Sequence, residues 1–133
     1  MIEYTVDEKR GIICSRFTQA VDLSEAVHYL QRTASDPKCD PSYGRLVIIE
    51  SGAVAVNASQ GNLMREVWEK TGEKHTHYSC AIVCDGTSEA LIRVLMYKSS
   101  MIDSSVRFFS SRSAAVAWLE TKRSKKMYEG DLL

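Results

Sequence analysis

Apolar and polar positions divide the chain into short strand-like runs, most followed by a stretch with helical spacing. Ile2-Glu3-Tyr4-Thr5-Val6 alternates with the period of a half-buried strand, and Ile12-Ile13-Cys14-Ser15-Arg16-Phe17 continues as a second strand after a turn over residues 7–11. The two predict a hairpin. Asp22 and Glu25 have the spacing of a capping box, and Leu23, Ala26, Val27, Leu30 and Ala34 then share one helical face, predicting a helix from about Leu23 to Ser35. Asp36-Pro37 ends it, because the residue before a proline is pushed out of helical geometry.

Leu46-Val47-Ile48-Ile49 is apolar at every position, the pattern of an inner strand covered on both faces by helices. Leu63, Met64, Val67, Trp68 and Thr71 predict a second helix, ended by Gly72. Residues 78–84 form another two-sided apolar strand, Asp85-Gly86-Thr87 a turn, and Leu91, Val94, Leu95, Lys98 and Ile102 a third helix. Val106-Arg107-Phe108-Phe109 is the last strand, and Ala114, Ala115, Trp118 and Leu119 mark a final helix with a serine-rich entry. The predicted order is ββαβαβαβα, an α/β fold with a single, mostly parallel five-stranded sheet and four helices. Parallel neighbours need a crossover, and the intervening helices supply it. The apolar period fades after residue 120, so residues 1–120 read as the domain. Residues 121–133, with Lys122, Arg123, Lys125 and Lys126, read as a frayed basic tail, a basic contact site being the alternative.

Composition narrows the function classes. A length of 133 residues suits one domain whose core needs no metal or disulfide. Lys plus Arg and Asp plus Glu balance at 17 each, which removes the global field that draws in nucleic acid. No apolar run nears the ~20 residues of a membrane span, and the first residues lack the signal-peptide pattern, so a cytoplasmic location is expected. Cys14, Cys39, Cys80 and Cys84 lack metal or redox spacing. Along a strand Cys80 and Cys84 would stand about 13 Å apart, beyond the ~7 Å of a disulfide. Reduced thiols packed as small apolar groups are expected, with no metal and no cofactor.

The element order resembles that of the SpoIIAA-like (STAS) domains and their relatives grouped with a CRAL-TRIO-like fold. The resemblance covers residues 2–120 and is carried by four features. They are Ser35-Asp36-Pro37-Lys38-Cys39-Asp40-Pro41-Ser42-Tyr43-Gly44 before the third strand, the strand Leu46-Val47-Ile48-Ile49, the strand Cys80-Ala81-Ile82-Val83, and the ending Val106-Arg107-Phe108-Phe109 with Ala114-Ala115-Val116-Ala117-Trp118-Leu119. Anti-sigma factor antagonists of that family carry a phosphorylatable serine in an acidic-Ser-Ser-Gly type motif at the start of the second helix. The matching stretch here looks like Asn57-Ala58-Ser59-Gln60-Gly61, with Asn57 in place of the acid and Ala58 in place of the first serine. The resemblance thus implies Ser59 as the phosphoacceptor.

Ser59 also stands where a helix N-cap belongs, and a phosphate there, with a charge of about −2, would gain from free backbone amides and the helix dipole. Plain capping by Ser59 or Asn57 is the alternative. Open parallel sheets bind ligands beyond the carboxyl ends of their strands, which points to Glu50, Ser51, Gly52, Asn57, Asp85, Thr87 and Ser88. Thr87 or Ser88 would cap the third helix and help hold an anion, but neither loop carries a Walker lysine or a GxGxxG run. His75-Thr76-His77 supplies two imidazoles without the further ligands of a metal site, and His28 reads as a boundary residue on the first helix. Glu50 and Asp85 would end neighbouring strands, where one carboxyl pKa would rise for acid–base chemistry.

Three functions follow in order. First is a non-enzymatic STAS-like module of a bacterial cytosol that binds a protein partner through the loops after the third and fourth strands and the second helix. Second is a carrier of a small apolar or amphipathic ligand, as the CRAL-TRIO resemblance implies. Third is an enzyme using Glu50 and Asp85. A homodimer through the second helix or a sheet edge is compatible with the first.

Overall fold

The computed structural model describes residues 1–53, 79–98 and 106–131. Its elements are β1 (Ile2–Asp7), β2 (Ile12–Phe17), α1 (Leu23–Ser35), β3 (Gly44–Ile49), β4 (Cys80–Val83), α2 (Gly86–Lys98), β5 (Val106–Phe109) and α3 (Arg112–Asp131). The expected helix on Leu63, Met64, Val67, Trp68 and Thr71 lies outside the described residues, as do His75 and His77, so three helices rather than four are described. The apolar period predicts fraying beyond residue 120; α3 instead runs on to Asp131.

The strands lie in the order β1-β2-β3-β4-β5. β1 and β2 pair antiparallel, and every later neighbour is parallel. The hairpin turn closes with Gly11 N–H on Asp7 C=O at 2.8 Å. Gly11 has φ 65°, a left-handed conformation that glycine adopts without a Cβ penalty. The uninterrupted apolar runs at β3 and β4 are adjacent inner strands in register from Arg45↔Cys80 to Ile48↔Val83, as their pattern requires.

Alternation along the strands divides the core in two. On one face Leu46 and Ala81 meet Ala115 and Leu119 of α3, flanked by the Phe109 and Trp118 rings at 5.7 Å. On the other, Val47, Ile49, Cys80 and Ile82 pack with Ile92 of α2, while Ile2 and Val21 pack with Tyr29 of α1. α1 starts as expected, with the Asp22 carboxylate accepting from Glu25 N–H at 2.8 Å. The capping box is one-sided, because Glu25 turns instead to the amino group of Met1 at 3.1 Å. Asp36, with ψ 119°, leaves the helix before Pro37.

A polar cluster lies beneath α1. Arg45, 3% exposed, donates to Tyr29 Oη at 3.2 Å and Thr33 Oγ1 at 3.0 Å, and Tyr29 is also hydrogen-bonded to buried Ser15. Burial pushes the Tyr29 phenol pKa up, so the hydroxyl stays protonated. The four cysteines are free thiols; Cys80 is buried, its pKa pushed up to about 11 by burial. Cys14, Cys39 and Cys84 are half-buried rather than fully packed.

Two tests follow. Tyr29→Phe strips a buried partner from Ser15 and Arg45 and is expected to cost about 1–3 kcal/mol, read as a lower urea midpoint with unchanged slope; an unchanged midpoint contradicts it. The second concerns Tyr4, whose hydroxyl donates to Asp36 Oδ2 at 2.6 Å. That hydrogen bond raises the Tyr4 pKa from 10.0 to about 12 and holds the Asp36 carboxyl below its usual range. The lowered Asp36 pKa contributes stability that is lost as pH falls through the carboxyl range. The raised Tyr4 pKa contributes stability that is lost as pH rises from 10.0 to about 12. The stability gap between wild type and Tyr4→Phe should therefore be widest at intermediate pH and close at both ends; a gap independent of pH contradicts the coupling.

Candidate functional site at the strand ends

The carboxyl ends of β3 and β4 are neighbours, since their register runs in parallel to the last residue pair. Chain leaving β3 turns back at once: Ala53 N–H bonds to Glu50 C=O at 3.0 Å, and Gly52 takes φ 74°. Among non-glycine residues a positive φ is found at Gln19 and not at Ser51, so Glu50-Ser51-Gly52-Ala53 has the one-positive pattern of a type II turn, which favours glycine at its third position. A Cβ on Gly52 would meet nothing within 4 Å, so the constraint there lies in the backbone rather than in space. Glu50 N–H is tied to Phe17 C=O at 3.0 Å, and Ala53 C=O accepts from Val21 N–H, anchoring the turn to the link between β2 and α1.

Chain leaving β4 enters α2 through Asp85. Its carboxylate accepts from Ser88 N–H at 2.7 Å, and its carbonyl receives Glu89 N–H at 2.9 Å, so Asp85 is the N-cap. This corrects the expectation for Thr87 and Ser88, which sit inside the first turn rather than capping it. Gly86 masks the cap in the sequence, because it reads as a turn residue rather than the first residue of a helix. The Asp85 carboxylate also occupies the place at this helix start where an anion was expected.

Hydrogen bonding from Ser51, together with that from Ser88, is what holds the pKa of this carboxylate below the usual carboxylate range. The structure thus brings Ser51 and Asp85 together, linking the turn after β3 to the cap after β4. Ser88 is buried beside them, Gly52 shapes the turn, and Glu50 and Thr87 are exposed. Asn57 and Ser59 lie outside the described residues. The pKa direction bears on acid–base chemistry, which needs a carboxyl raised toward neutrality. That of Asp85 moves the other way and its lone pairs are engaged by Ser51 and the helix amides. His28 is exposed on α1.

At the opposite end of the strands is a small cleft lined by Gly11, Ser42, Ser79, Lys122 and Arg123 among others, the last two belonging to the basic segment for which a contact site was the alternative expectation. The signal available was the pair Lys122-Arg123, one helical turn beyond the apolar face of α3.

Among solved structures, an anti-sigma-factor antagonist (STAS) domain protein from Planctomyces limnophilus matches 87% of this chain and 96% of its own, with a TM-score of 0.50 and 15% sequence identity. At that identity the likeness establishes the fold. No protein-family model and no curated protein matches the sequence.

The Ser51 contact is directly measurable. In Ser51→Ala the Asp85 carboxyl should titrate at higher pH than in wild type, followed by NMR of its side-chain carbon; an unchanged titration would mean the two loops are not joined through this hydrogen bond.

Proposed function

We propose that this chain, which has the SpoIIAA-like fold of the STAS domains, is a non-enzymatic regulatory module that binds a protein partner. The contact surface is the rim formed by Glu50, Ser51 and Gly52 after β3 and Asp85 and Thr87 at the start of α2. One observation carries this reading: the parallel register of β3 and β4 brings the turn at Ser51 and the helix cap at Asp85 to one edge, with Glu50 and Thr87 exposed beside them. A surface ordered before binding loses less entropy on association. The solved neighbour is described as an anti-sigma-factor antagonist, which supports a regulatory partner of the same broad kind.

Ser59 belongs to this reading as the phosphoacceptor. It follows β3 in the chain, on the connection leaving the same rim, and a dianionic phosphate there would change the charge offered to the partner. No helix among the described residues is long and apolar enough to cross a membrane.

The test is capture of partners from extract of the native host, followed by mass spectrometry. Glu50→Lys combined with Thr87→Lys, at exposed positions, should remove the partners that wild type retains, whereas Glu3→Lys, at an exposed position of β1, should keep them. Ser59→Asp should alter the captured set. Identical captures by wild type and the double variant would overturn the rim as the contact surface.

A further inference from the structure

The cleft at the amino-terminal ends of the strands carries chemistry that the rim reading does not use. Here α3 arrives from above β5 and brings Lys122 and Arg123 against the starts of β2 and β3 and the approach to β4. The guanidinium takes the space a side chain on residue 11 would need: a Cβ at Gly11 would stand 1.4 Å from Arg123 Nη1. The tyrosine ring of Tyr43 lies 5.7 Å from the guanidinium carbon. Arg123 is therefore seated between a glycine backbone and an aromatic face.

Its Nη1 is buried and finds no hydrogen-bond acceptor among the described residues. The neighbouring carboxylate, Asp40, feels Arg123 but is held first by Ser42, whose hydroxyl and amide donate to it at 2.7 and 2.8 Å. Leaving a buried charged donor without an acceptor is costly, and such groups call for a partner. The cleft beside it has a volume of about 10 Å³, the space of a single oxygen-sized atom. Lys122, whose ammonium lies 5.7 Å from the centre of the Trp118 ring, and Ser79 are further lining residues.

We propose that this cleft is a binding site for a phosphate group, one oxygen entering beside Arg123 while Lys122 neutralises the charge that stays outside. Two cations suit a dianion, and the planar guanidinium offers forked donors to its oxygens. The site lies at the amino-terminal ends of the strands, the opposite end from Ser51 and Asp85, so it stands or falls independently of the partner-binding rim.

Inorganic phosphate titrated into the ¹⁵N-labelled full chain, against sodium chloride at matched ionic strength, tests it. The amide signals of Gly11, Gly44 and Ser79 should shift saturably with phosphate and not with chloride. Arg123→Gln should weaken the apparent affinity by about tenfold or more, and Lys122→Gln by a smaller factor. Absence of saturable shifts, equal shifts with chloride, or wild-type affinity in a folded Arg123→Gln protein would overturn the proposal. If Arg123→Gln perturbs the whole spectrum, Lys122→Gln decides, and unchanged phosphate affinity in that variant overturns it.

Discussion

The parallel pairing of β3 with β4 is the constraint on which the rest of the molecule depends. Both strands are apolar on alternate residues in both directions, so neither can face water on either side. Leu46 and Ala81 must be covered by one helical layer and Val47 and Ile82 by another, which is what α3 on one face and α1 with α2 on the other provide. Because the strands run the same way, their carboxyl ends emerge together and their amino ends begin together. The rim at Ser51 and Asp85 and the cleft at Gly11 and Arg123 are the two consequences, one at each end of the same pair.

The sheet is closed off differently on its two faces. The α3 face is an apolar contact whose closest approach is set by small residues, Ala81 and Ala115, both fully buried. The α1 face is apolar at its margin but carries Ser15, Tyr29, Thr33 and Arg45 at its centre. Apolar packing tolerates sliding, whereas a hydrogen-bonded cluster is satisfied in one arrangement. The cluster thus fixes where α1 sits, and through the backbone bonds from Val21 to Ala53 and from Glu50 to Phe17 that position carries to the turn at the rim.

Much of this was legible in the residues. β2, α1 and β5 have the bounds their patterns predict, because periodicity and stop signals such as Asp36-Pro37 act locally. The inner strands were legible as well, since a continuous β-branched run has few other uses. Arg45 was not: a charged residue at the start of a strand reads as a boundary, and only the folded chain shows Tyr29 and Thr33, more than ten positions away, waiting for it. The N-cap role of Asp85 was hidden by Gly86, and the Ser51–Asp85 contact joins loops more than thirty residues apart in sequence, beyond any local pattern. The length of α3 was missed because its last turns lack the apolar spacing by which the earlier ones are recognised, and the Arg123 seat depends on Gly11 at the far end of the chain.

The most direct measurement is of the strand pairing itself, by NMR distance contacts between backbone protons of β3 and β4. Parallel neighbours in the register Leu46↔Ala81 and Val47↔Ile82 should give interstrand contacts between α-protons and amide protons, with no close pairs of α-protons facing each other. Close facing α-protons between these segments, or no contact at all, would contradict the shared strand ends from which both the rim and the cleft are built.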